Sequence, residues 1–186
     1  MENGNLSKIL WALNMVEASG KPKAKSRFEP NFYNKYLKGK KNWMEMEKKF
    51  GREAISSSYG PWQIMFPTAV EMGYKGRPED LHDPKVSLPY VQKYLTKIQD
   101  KHGSDPKKVL SAYNAGIGGV GSNPDYTEKA FRFYQQAPSY WSAYGDDKKT
   151  NGSALLEKEP PKQIVQAIKD KNAETTITAK PTKVVA

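Results

Sequence analysis

The sequence predicts a mainly α-helical protein in which β-structure is at most a small hairpin. Three observations predict this. Apolar residues recur every three and four positions in several segments, glycines stand where those segments stop, and no alternation of apolar and polar residues is long enough for a confident strand. Leu6, Ile9, Leu10, Leu13 and Val16 predict an amphipathic helix over about residues 5–18, capped by Asn3 or Asn5 and stopped by Gly20 and Pro22. Further helices are expected at about 42–50, 67–73, 84–101, 105–115 and 124–136, with Gly51, Gly73, Gly103 and Gly116 as stops. Asp83 before Pro84 and Asp105 before Pro106 read as N-caps with proline at the first helical position. Residues 33–37 or 55–58 are the candidates for a short hairpin.

Length and composition bound the rest. A chain of 186 residues with 37% hydrophobic residues buries one sizeable core. Residues 1–145 read as that domain, with Tyr140, Trp141 and Tyr144 expected to pack its last helix. After Gly145 the chain turns polar, passes Pro160-Pro161, and sketches a short helix around Ile164, Val165 and Ile168; residues 146–186 are expected to be a linker, that helix and a flexible tail. The net charge of +10, from 30 basic and 20 acidic residues, calls for an anionic partner. Lys21, Lys23, Lys25 and Arg27, then Lys35, Lys38, Lys40 and Lys41, would also suit phosphate, but no nucleic-acid-binding signature accompanies them and none is expected to bind. Cysteine is absent, so disulfides and thiol chemistry are excluded. Only His82 and His102 could supply imidazole, and neither a metal nor another cofactor is expected. No run of eighteen apolar residues and no signal peptide is visible, so membrane insertion is not expected.

The chemistry starts at Glu17. It lies four residues beyond Leu13 and seven beyond Leu10, on or beside the apolar stripe in the last turn of the first helix. Desolvation and the negative end of the helix dipole both disfavour the ionised form there, which predicts a raised pKa and a proton kept near neutrality, as a general acid requires. The plainer reading is a helix-end carboxylate paired with a lysine or arginine. Further on, Gly60 suits a bend or close backbone approach, and Gln63 sets an amide beside Ile64 and Met65. Tyr113 and Asn114 end the helix that Asp105 caps, which aims a phenol and an amide at the following loop. Each could be an ordinary core or surface residue. Their order behind an acid-bearing helix argues for a site.

These residues stand in a recognisable series: Glu17-Ala18-Ser19-Gly20, Gly60-Pro61-Trp62-Gln63-Ile64-Met65-Phe66-Pro67-Thr68-Ala69, Leu81-His82-Asp83-Pro84, Tyr94-Leu95 and Ala112-Tyr113-Asn114-Ala115-Gly116. Over residues from about 5 to 135 the series resembles the catalytic domain of lytic transglycosylases and goose-type lysozymes, family 23 of the glycoside hydrolases. The chain departs from the family pattern at Ala18, where a serine is usual, and at Pro61-Trp62, where Leu-Met is usual. It also carries a longer segment between Glu17 and Gly60 that includes Arg27-Phe28-Glu29-Pro30, a run similar to one in related phage and bacterial members.

The resemblance implies a lysozyme-like α+β fold and cleavage of the β-1,4 bond between N-acetylmuramic acid and N-acetylglucosamine in peptidoglycan. It implies Glu17 as general acid and then base, a 1,6-anhydromuramyl product formed without water, and no cofactor. Ser57 or Ser58 would steer the attacking hydroxyl, Tyr113 would sit near Glu17, Gln63 and Asn114 would hold acetamido or hydroxyl groups, and Met65 would floor the site. Sugar rings stack on aromatic faces, so Trp62, Tyr59, Tyr33 and Trp43 are candidate walls. Hydrolysis, with chitin as a possible further substrate, is the alternative reaction. It needs a second carboxylate to orient water, for which Glu29, Glu71, Asp80 and Asp83 are candidates, with Asp83 better explained as a cap and Glu29 as a local ion pair with Arg27. A protein that kept the fold as a wall-binding module without catalysis is a third reading. The expected partners are glycan strands and the anionic cell-wall surface, the expected state is a monomer, and the expected context is a phage-encoded enzyme made in the host cytoplasm or carried by the virion.

Overall fold

Helix α1 (Asn3–Ala18) runs through the centre of the fold. The expected apolar stripe is present, but burial wraps the whole helix between Ile9 and Met15, where Trp11, Ala12 and Asn14 are as deeply enclosed as Leu10 and Leu13. The reason is that α1 is covered on more than one side. Helix α8 (Pro124–Gln136) lies along it, with Trp11 and Phe133 meeting edge to face at 6.1 Å, and the Tyr134 hydroxyl donates to Asn5 Oδ1 at 2.8 Å. Asn5 therefore sits inside the helix as a partner of α8 rather than as its cap. Ser19 and Gly20 then take left-handed conformations (φ 54° and 75°), and the Gly20 N–H returns to the Asn14 carbonyl at 3.2 Å, which closes the helix end.

The computed structural model describes residues 3–22 and 24–138. The expected packing of Tyr140, Trp141 and Tyr144, the boundary near residue 145, and the linker, helix and tail over 146–186 lie outside the described residues. After α1 the chain forms β1 (Arg27–Phe28), α2 (Pro30–Phe32), a π-helical segment (Tyr33–Leu37), α3 (Lys41–Phe50), α4 (Arg52–Ile55), β2 (Ser57–Tyr59), β3 (Ile64–Met65) and α5 (Phe66–Glu71). A 3-10 turn (Pro78–His82), α6 (Pro84–His102), α7 (Pro106–Ala115) and α8 follow. Among the described residues the class is mainly α with one small three-stranded sheet. Residues 33–37 are helical rather than extended: Tyr33 and Leu37 are both buried at helical spacing, and the Lys38 N–H reaches the Tyr33 carbonyl at 3.0 Å. Asp83 and Asp105 cap α6 and α7 by accepting from the Lys85 and Lys107 N–H groups at 2.8 and 2.9 Å.

The sheet is antiparallel in the order β1-β2-β3. Its register sets Arg27 opposite Ser58 and Ser58 opposite Met65, so these three form one row across the strands and share a face. Phe28 pairs with Ser57. The turn between β2 and β3 is bolted to the helices around it. Pro61 accepts from Asn14 Nδ2 at 3.2 Å, the Trp62 indole N–H donates to the Leu10 carbonyl at 3.0 Å, and the Trp62 carbonyl accepts from the Tyr113 hydroxyl at 2.8 Å. Gly60 has φ 72°, and a Cβ there would collide with the Leu81 carbonyl oxygen, so both the bend and the close approach require glycine.

Candidate active site

Helix α1, the sheet and the C-terminal end of α7 converge on a cleft of about 440 Å³ lined by Glu17, Arg27, Glu29, Ser58, Gln63, Met65, Tyr113 and Asn114, with Phe32, Tyr36, Thr68 and Tyr94 along its length. Glu17 is half-buried at the end of α1. Burial pushes its pKa above the usual carboxylate range, and the neighbouring Glu29 charge pushes the same way. The hydrogen bond from Tyr126 and the charges of Arg27 and Lys129 oppose the shift without cancelling it. The Tyr126 hydroxyl donates to Glu17 Oε1 at 2.6 Å. Burial raises the Tyr126 pKa well above that of an ordinary phenol, and Glu17 adds to the effect, so the phenol keeps the proton that it donates.

Tyr126 was not among the residues singled out from the sequence. It stands in the first turn of α8, which begins at the Asn123 cap, whose side chain accepts from the Tyr126 N–H at 3.2 Å. An aromatic at that position looks like any helix-face residue. Only the antiparallel packing of α8 on α1 brings it to an acid 109 residues away.

The serines separate by strand alternation. Ser58 shares the face of Arg27 and Met65 and lines the cleft, whereas Ser57 turns with Phe28 and Tyr59 toward a hollow on the other side of the sheet. The Ser57 hydroxyl donates to the Glu53 carbonyl at 2.7 Å and the Tyr59 hydroxyl to the Ala54 carbonyl at 2.8 Å. Of the two serines, Ser58 is thus the one that lines the same cleft as the acid. Tyr59 is turned away from the cleft.

Gln63 lines the cleft with its amide already engaged. Its Nε2 donates to Gly60 at 3.0 Å and to Lys25 at 3.2 Å, and its Oε1 accepts from the Ser58 hydroxyl at 2.8 Å. With both donors used, it has only acceptor capacity left for a ligand. Its main effect is to fix Ser58 and the β2–β3 turn. Trp62 is fully enclosed, with its N–H spent on α1, and belongs to the core rather than to the cleft wall. Tyr33 is also drawn inward, donating to Glu47 Oε1 at 2.6 Å. Tyr113 lies beneath the cleft with its hydroxyl donated to Trp62 and its ring 5.6 Å from that of Tyr94. Burial and the nearby Glu17 raise its pKa well above the usual phenol value. Asn114 is exposed at the rim, its Oδ1 accepting from Asn123 Nδ2 at 2.9 Å, which leaves its own amide donors facing outward.

Of the carboxylates that could orient water, Glu29 alone lines this cleft. It accepts from Arg27 Nε at 2.6 Å, so the local ion pair and the cleft position both hold. Glu71 pairs with Lys97 on the surface, Asp83 is spent on its cap, and Asp80 accepts from the Arg77 N–H. Among the described residues no group of three or more His, Cys, Asp or Glu side chains is placed to hold a metal, and no helix is long and apolar enough to cross a membrane.

The fold is mainly α and lysozyme-like, and its cleft holds one half-buried acid at the end of a central helix, a serine on a short sheet and a Tyr-Asn pair at a helix end. Residues 1–134 match the family model described as the transglycosylase SLT domain, and the chain belongs to that family, which carries with it peptidoglycan as the substrate and transglycosylase-type activity. No curated protein and no solved structure matches the chain significantly.

Proposed function

We propose that the protein cuts the β-1,4 bond between N-acetylmuramic acid and N-acetylglucosamine without water, with Glu17 acting first as acid and then as base. The observation that carries this reading is the half-buried Glu17 carboxyl, raised in pKa by burial and held by the Tyr126 hydroxyl at 2.6 Å in the cleft. The Glu17 proton passes to the bridging oxygen as the C1–O bond of the muramyl unit breaks. The positive charge that develops at C1 is met by the substrate's own N-acetyl oxygen and by the Glu17 carboxylate just formed. Glu17 then takes the proton of the C6 hydroxyl of the same sugar while O6 bonds to C1, which restores the acid and closes the 1,6-anhydro ring. An internal hydroxyl has a very large effective concentration, so positioning alone lets it outrun solvent.

Ser58 is suited to that positioning. Having donated its proton to Gln63, it offers lone pairs to the C6 hydroxyl and so sets the direction of attack. Asn114 offers its amide donors to an acetamido or hydroxyl oxygen at the rim. Met65 supplies apolar floor beside Ser58.

Hydrolysis is the alternative, favoured by one observation, the presence of Glu29 in the same cleft. Its carboxylate is engaged by Arg27 Nε at 2.6 Å, so the oxygen that accepts there is not free to orient a water. Mass spectrometry of digested sacculi separates the two reactions. Anhydromuramyl ends are expected, and reducing muramyl ends would replace this reading with hydrolysis.

A further inference from the structure

The cleft continues past the acid. A second groove of about 800 Å³ adjoins it and shares Phe32, Thr68, Tyr94 and Gly116 as common wall; both volumes fall in the range of about 300–1,000 Å³ usual for ligand sites. The far side of this groove is built by Asn42 and Trp43 of α3 and by Lys97 and Lys101 of α6. Trp43 is held edge to face against Phe66 at 6.3 Å, so the indole is braced by the core rather than loose on the surface. Lys97 and Lys101 are four residues apart and so lie on one face of α6. Among the described residues the one acid that lines the groove, Glu71, is paired with Lys97. Lys101 is exposed and has no carboxylate partner among the described residues.

We propose that this groove binds the murein strand beyond the disaccharide being cut, with Trp43 as the surface for a further sugar ring and Lys101 as the contact for a carboxylate of the peptide stem. The inference rests on the reading of the Glu17 cleft as the site of cleavage. Three features point to this occupant: continuity with the cleft, an aromatic beside polar Asn42, and a positive rim facing an anionic polymer. Of the four aromatics that the sequence offers as sugar-binding walls, Trp43 alone lines a groove joined to the acid. Asn42 and Trp43 belong to the segment between Glu17 and Gly60, whereas Lys97 and Lys101 come from α6, so the two sides of the groove are supplied by separate parts of the chain.

The test compares the full-length protein with its Lys101→Glu and Lys75→Glu variants on glycan strands that keep their peptides and on the same strands stripped of peptides by an amidase. Lys75 is an exposed lysine that lines neither groove, so its reversal reports the effect of net charge alone. Lys101→Glu is expected to raise KM on peptide-bearing strands by roughly fivefold, the scale of an exposed ion pair, with kcat unchanged and little effect on stripped strands. Trp43→Phe, which keeps an aromatic against Phe66, is expected to raise KM on long strands of both kinds more than on the shortest cleavable fragment. Equal effects of Lys101→Glu on the two substrates, equal effects of Lys75→Glu, or no effect at all would each overturn the proposal while leaving the cleavage site standing. Undiminished cleavage by Glu17→Gln would instead remove the site, and the groove with it.

Discussion

In the proposed reaction the burial that lets Glu17 keep its proton is also what makes it costly to the fold. Its folded pKa is raised, so the stability it permits is fully present below the ordinary carboxylate range and is lost as pH rises through the folded value, where the buried group ionises. Glu17→Gln keeps an oxygen to accept from Tyr126 and carries no charge. It is expected to lower turnover by at least ~10²-fold, the range for removing a general acid, while melting at or above the wild-type temperature, with the margin growing from acid toward neutral pH. Calorimetry across that interval checks the sign. A margin that shrank with rising pH would mean that the carboxylate is stabilised where it sits.

The neighbours of the acid tune it in opposite directions. Tyr126→Phe removes a hydrogen bond that favours the charged form, so the alkaline limb of the kcat/KM profile is expected to move to higher pH. Glu29→Gln removes a negative neighbour and frees Arg27, so the same limb is expected to move to lower pH. Glu17 was legible because position on a helix, burial and charge all follow from local sequence. Tyr126 was not, since no local pattern relates the first turn of α8 to the last turn of α1.

At the level of elements, the β2–β3 hairpin turns a motif into a site. Gly60, Pro61, Trp62 and Gln63 mostly serve as fasteners. Their hydrogen bonds tie the hairpin to α1, to α7 and to the segment before β1, and so hold Ser58 in place over the end of α1. Gly60→Ala combines a left-handed φ with a clash against Leu81, and is expected to destabilise the protein by about 1–3 kcal/mol in denaturant unfolding. The two neighbouring serines test the register. Ser57→Ala is expected to leave kcat close to wild type, whereas Ser58→Ala is expected to lower it by roughly tenfold, as for loss of one positioning hydrogen bond. The reverse order would contradict the assignment of faces.

Much of this element scale was readable in advance and some was not, for physical reasons. The helices from α5 onward begin and end close to where Asp83, Asp105 and the glycines predict, because caps and stops act within a few residues. Strands of two and three residues are too short to show alternation, so β1 and β3 could not be seen, and the choice between Ser57 and Ser58 stayed open. Trp62 reads as a wall from its chemistry and as core from its packing. Its indole N–H meets the carbonyl of Leu10, 52 positions earlier, and tertiary contact of that kind leaves no trace in spacing.

Over the whole molecule, the net charge of +10 is spread across a protein whose substrate is anionic. Cleavage of intact walls is expected to fall with added salt more steeply than cleavage of short soluble fragments, since attraction to an extended polyanion is screened over about a Debye length, ~8–10 Å near physiological salt. Equal salt sensitivity on both substrates would confine the role of charge to the cleft itself. The molecule thus combines one desolvated acid, a sheet braced against the helices around it, and an excess of positive charge.

The protonation state of Glu17 links all three levels. The most direct measurement is a carbon-13 titration of the Glu17 carboxyl in the folded protein, set beside the pH profile of kcat/KM. A midpoint above the ordinary carboxylate range that coincides with the alkaline limb of activity is the predicted result. A carboxyl that ionises at or below the ordinary range, with activity persisting well above that midpoint, would contradict the account.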